Sequence, residues 1–137
     1  MRKKFLAVVL AVTIVLGGYP LFAQNEHKVS IALTHQYQVY NDGYFDGKLP
    51  KTLLVYVGSA RGNAAITVNI GNFNGLFEAE YIEINPAENP IRQEEYISLL
   101  HEMCHVSVGL TEFEEHGPKW HQCMRTLAAE GAFDDLW

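Results

Sequence analysis

Cysteine is scarce in this chain, with two in 137 residues. Cys104 and Cys123 are too few to form a disulfide scaffold, so the fold has to rest on an apolar core. They are expected as small apolar residues on helix faces rather than as a pair, although an oxidising compartment would allow them to join. Positive charge is scarce as well. Residues 24–137 hold seven Lys and Arg against all sixteen acidic residues, a net charge of −9 with histidines neutral, and no Lys/Arg cluster. Such a surface repels phosphate backbones, which disfavours nucleic acid as a direct partner. Repeats, low-complexity tracts and internal linkers are lacking, and the length allows one domain with a modest core.

Charge of either sign is absent from Phe5 to Ala23, 19 residues that follow Arg2, Lys3 and Lys4. A basic start, an apolar run to Leu16, then Gly17, Gly18 and Pro20 and a small residue at Ala23 form the layout of a secretory signal peptide. Residues 1–23 are therefore expected to be removed after Ala23, although Leu21 is larger than the small residue usual two positions before a cut. The alternative is an uncleaved anchor, since about 20 apolar residues span a bilayer. Gly17, Gly18 and Pro20 break that helix late and favour cleavage. A membrane partner is expected only if the segment stays. In both cases the domain, residues 24–137, lies outside the cytoplasm, periplasmic or secreted.

Apolar and aromatic residues recur at Val29, Leu33, Tyr37, Tyr40 and Tyr44. Steps of three and four predict a first helix from about Lys28 to Phe45, stopped by Asp46-Gly47 and Pro50. Three strands follow: "TLLVYVGS", "AAITVNI" and "FEAEYIEINP", the last with its glutamates expected to face water. Asn89 and Pro90 suit the start of a helix reaching Val108, there or a few residues later, with Gly109 beyond its end. Pro118 opens a final helix through "PKWHQCMRTLAAEGAF", with Trp120, Cys123, Met124 and Leu127 on one side. The expected class is α+β: a helix, a three-stranded mostly antiparallel sheet, and two further helices.

The segment "LLHEMCHV" carries the chemistry. On a helix, His101 and His105 sit one turn apart on the same face and can aim at one ion. Glu102 is rotated by about 100° from His101, beside the metal, where a carboxylate can act as a base on water instead of ligating. With six histidines in the chain, random placement yields His-Glu-x-x-His in about 2% of such sequences. The flanking Leu99, Leu100, Met103, Cys104 and Val106 are apolar, so the two imidazoles would be buried polar groups in need of partners unless a metal satisfies them. A catalytic zinc takes three protein ligands and keeps an open position. Glu112, Glu114, Glu115, His116 and His121 are the candidates for the third. His116 is preferred because Gly117-Pro118 and the last helix fix its position; His121, one turn into that helix, is the runner-up. Zincins that continue His-x-x-Gly-x-x-His are excluded, because Val108 and Thr111 occupy the required positions.

"YNDGYFDGKLP", "LLHEMCHV" and "EHGPKWHQCM", in this order, resemble the SprT-like zinc metallopeptidase domain, the group that includes Spartan, over about residues 28–130. The resemblance implies a compact zincin-like core, zinc bound by His101, His105 and His116, and Glu102 as the catalytic residue. Spartan-type relatives add DNA-binding regions, and bacterial ones often add a cysteine zinc ribbon; this chain has neither. The leading expectation is an exported zinc-dependent peptidase acting on a peptide or protein substrate, laid as an extra strand along an open sheet edge. A zinc-stabilised binding module with little proteolysis and a DNA-associated protease of the Spartan type are the alternatives. Tyr40, Tyr44 and Phe45 are expected to pack the first helix under the active one. The glutamates of 112–115 are expected to form a solvated loop, and His121 and Tyr81 are open as partners for a developing oxyanion.

Overall fold

Ser30, not Lys28, starts the first helix. In the computed structural model, which describes residues 27–71, 77–112 and 114–137, Lys28–Val29 form a short strand β1. They pair antiparallel with Val57 and Tyr56. The helix α1 then spans Ile31–Tyr44, with the Ser30 hydroxyl accepting from the Leu33 N–H, as an N-cap should. Val29 is accordingly 44% exposed and outside the buried stripe, whereas Leu33, Tyr37 and Tyr40 are buried as their spacing requires. Asp46 and Gly47, with φ of 55° and 67°, end the helix at the expected place. Asn41, fully buried, ties down the connector by bonding both the N–H and the carbonyl of Leu49. The Tyr37 hydroxyl donates to the Pro50 carbonyl.

Three longer strands follow: β2 (Leu54–Val57), β3 (Ala65–Gly71) and β4 (Phe77–Ile84). The sheet has four strands rather than three, in the order β1-β2-β4-β3. Its pairing is mixed: β2 runs parallel to β4, and β3 returns antiparallel to β4. This order leaves β3 on an edge. β4 also departs from the expected row of solvated glutamates. Glu83 is only 7% exposed, because its carboxylate accepts from the Ala60 N–H and from His27. Gly58 permits this, since a Cβ there would lie 2.5 Å from a Glu83 oxygen.

Helix α2 spans Arg92–Val108 and ends at Gly109 with φ of 57°. Its start falls after Asn89-Pro90 because Asn89 is buried and bonded elsewhere: its amide donates to the carbonyls of Ala64 and Asn85, and its oxygen accepts from Ser98. Helix α3 spans Pro118–Ala129, shorter than the expected run to Phe133. Leu99, Leu100 and Met103 on α2 meet Val55, Ile82 and Ile84 of the sheet, all fully buried. Each such side chain contributes about 1.5–3 kcal/mol by leaving water. Tyr40 meets Tyr96 edge-on, which seats α1 against α2 as expected.

Cys104 and Cys123 form a disulfide between α2 and α3, with Cα atoms 5.7 Å apart, which overturns their reading as unpaired apolar residues. They do lie on helix faces, but the packing of α3 on α2 brings those faces together. No helix among the described residues is long and apolar enough to cross a membrane. The segment expected to be an export signal, residues 1–23, lies outside the described residues.

Candidate metal centre

Three histidine side chains converge on one point. His101 and His105 come from successive turns of α2, and His116 from the residues just before α3. The Nε2 atoms form a nearly equilateral triangle: 3.3 Å between His101 and His105, 3.2 Å between His105 and His116, and 3.1 Å between His116 and His101. Three neutral imidazoles cannot satisfy such a triangle by hydrogen bonding, because a proton aimed at its centre is well off the line to either neighbour. The triangle does fit one cation. Nitrogens about 2.0–2.1 Å from a tetrahedral zinc lie about 3.3–3.4 Å from one another. These are the three ligands expected from the sequence, and no fourth His, Cys or carboxylate joins the group among the described residues. His121 is exposed on α3, outside that group.

The anchors of His116 explain why this loop residue is placed so closely. Glu112 accepts from the N–H groups of Lys119 and Trp120 and so caps α3. Gly117 leaves room for it, as a Cβ there would come 2.5 Å from a Glu112 oxygen. Glu112 is thus neither a ligand nor merely solvated, while Glu114 and Glu115 are exposed as expected. Trp120 is buried beside the imidazoles, its ring centroid 4.2 Å from that of His116 and 4.7 Å from that of His101. Its indole N–H donates to the His101 carbonyl. The disulfide ties the residue preceding His105 to α3 on the same side of the domain.

Glu102 is 5% exposed and lines the same cleft as the triad, a cavity of about 620 Å³. Burial raises its pKa to about 7; the hydrogen bond from Thr67 partly opposes this, and the charge of Glu115 adds to the rise. Thr67 lies on β3, its hydroxyl 2.6 Å from Glu102 Oε2. The edge strand forms the opposite wall, with Ala65, Ile66, Thr67 and Asn69 all reaching the cleft. His121 and Tyr81 are not part of the lining. Tyr81 instead meets His27 and Tyr56 through ring contacts. Thr67 and Trp120 are site residues that no spacing marks in the sequence.

A family model for SprT-like proteins matches residues 33–134. The chain belongs to the SprT-like family. No curated protein and no solved structure matches it. The SprT-like domain here is metallopeptidase-like, in a family associated with zinc, and its His101–His105–His116 cluster is suited to a metal ion.

The protonation of the cluster favours ligation. Burial, and then the nearby His105 and His116, lower the His101 pKa to about 4. His105 is lowered too, mainly by burial. Both imidazoles therefore offer a lone pair more readily in mild acid than an ordinary histidine, with pKa about 6.5, does. Lowered pKa values at two of the three imidazoles reduce the competition from protons, so a metal ion bound by the cluster is expected to be retained at mildly acidic pH and lost on stronger acidification. Metal content after dialysis at a series of pH values measures this; complete loss already at neutral pH would contradict it.

Proposed function

We propose that the chain is an exported zinc-dependent peptidase that hydrolyses peptide bonds, with Glu102 as general base. The observation that carries this reading is the Nε2 triangle of His101, His105 and His116 in a cleft that also holds a buried carboxylate. A zinc ion held there would supply a Lewis acid that polarises the scissile carbonyl and makes a water acidic near neutral pH. Glu102 takes the proton from the attacking water and passes it to the leaving amine. Burial raises the affinity of the Glu102 carboxylate for that proton, which suits a group that must accept it and then release it. A purely structural zinc would need no such base and would more often have a fourth protein ligand.

The substrate is proposed to be an extended peptide or a protein segment that adds a strand to β3, the edge that walls the cleft. Main-chain hydrogen bonds give such binding its affinity with little demand on sequence. Export is supported by the residue pattern of 1–23 and by the Cys104–Cys123 bond, which suits an oxidising compartment. The acidic chain with its sparse lysine and arginine disfavours the DNA-associated role.

Removing the metal with a chelator is expected to abolish cleavage of casein or a quenched peptide, and adding back one equivalent of zinc to restore it. A chain that retains zinc but cleaves neither substrate would instead be a zinc-stabilised binding module.

A further inference from the structure

The edge strand does more than wall the cleft. Successive residues of β3 face opposite sides of the sheet. Ile66 and Val68 stand opposite Glu83 and Tyr81, whereas Thr67 stands opposite the fully buried Ile82, on the side covered by α2. There the Thr67 Oγ1 lies 2.6 Å from Glu102 Oε2 and 3.3 Å from the Glu102 carbonyl. A hydroxyl has one proton to give, and the shorter contact, to a group that can carry full charge, takes it. Threonine is β-branched and stiff at χ1, so few directions are open to its hydroxyl and little freedom is lost in holding it against Glu102. Thr67 and its neighbours Ile66 and Val68 keep one regular register against β4, from Glu83 to Tyr81.

We propose that Thr67 is a positioning residue for Glu102: its hydroxyl holds Oε2 and leaves Oε1 to exchange the proton with water. This rests on the peptidase reading. A glutamate has three rotatable side-chain bonds, and a misplacement of about 1 Å at a reacting group can cost about 10²-fold in rate. The hydroxyl points away from the strand's open edge, toward α2. Its loss should therefore affect turnover and spare peptide binding. The backbone of one residue thus borders the docking edge while its side chain fixes the base.

Thr67→Val keeps the shape and removes the donor; Thr67→Ser keeps the donor. In the zinc-loaded protein, Thr67→Val is expected to lower kcat about 10–100-fold, with KM within about twofold and zinc content unchanged. Thr67→Ser should recover kcat to within about threefold of the wild type. A readout independent of turnover is the carboxyl carbon resonance of Glu102 in protein labelled at glutamate, assigned by its disappearance in Glu102→Gln. It should move in Thr67→Val and return in Thr67→Ser. An unchanged kcat in Thr67→Val, a loss that serine does not rescue, or a Glu102 signal indifferent to residue 67 would each overturn the proposal. A wild type that cleaves nothing, with a Glu102 signal that still follows the hydroxyl, would remove the peptidase reading and leave the clamp standing.

Discussion

Glu102→Gln is expected to slow peptide cleavage by about 10²–10⁴-fold while leaving one zinc per chain. Glutamine has the same shape and offers the Thr67 hydroxyl an amide oxygen in place of Oε2, so the cavity and the Nε2 triangle have no reason to change. What is lost is the ability to accept a proton. Steady-state cleavage of a quenched peptide, with metal analysis of the same sample, separates this from His101→Ala, which should lose activity and zinc together. The wild-type pH profile supplies an independent check. If Glu102 is the base, activity requires its carboxylate form, so kcat/KM should fall as pH drops through the Glu102 pKa. Burial places that pKa near 7 in the metal-free chain, and a neighbouring cation draws it lower. The acid limb therefore belongs at or below pH 7 and should vanish in Glu102→Gln. A variant as active as the wild type would show that Glu102 is not the base.

Breaking the Cys104–Cys123 bond should have the largest effect on stability. The bridge closes a loop of 19 residues in sequence separation, and freeing that loop in the unfolded chain costs about 3 kcal/mol of folding stability. For a domain of this size the loss corresponds to a fall in Tm of roughly 10–20 °C. Thermal unfolding with and without a dithiol reductant, and of the Cys104→Ala/Cys123→Ala double variant, measures it. The metal site should feel the change, because the bond joins the helix of His101 and His105 to the helix that follows His116. A Tm unmoved by reduction or by the double variant would indicate that the two thiols do not pair in the folded protein.

The clustering of the three histidines was legible in the sequence because it depends on local rules. A four-residue step on an apolar helix dictates where His101 and His105 point, and Gly117-Pro118 marks where α3 begins and so where His116 is held. The helix stops at Asp46-Gly47 and Gly109 were legible for the same reason: each takes a positive φ within a short signal. What escaped depends on pairings distant in sequence. β1 is two residues long and exists only because Val57 and Tyr56 lie beside it. Glu83 alternates like a solvent-facing residue but is buried by His27 and the Ala60 N–H, from 56 and 23 residues away. Asn89 has the chemistry of a cap and spends it on Ala64, Asn85 and Ser98. Thr67 reaches Glu102 across 35 residues. The disulfide depends on the packing of α3 against α2, which no periodicity within either helix encodes.

The most direct measurement is the coordination sphere of the zinc-loaded protein, from a crystal structure with anomalous data at the zinc edge. One ion per chain should lie about 2.0–2.1 Å from the Nε2 atoms of His101, His105 and His116, with its remaining position open to solvent on the side of Glu102 and β3. An ion held without His116, or closed off by a fourth protein ligand, would contradict the account.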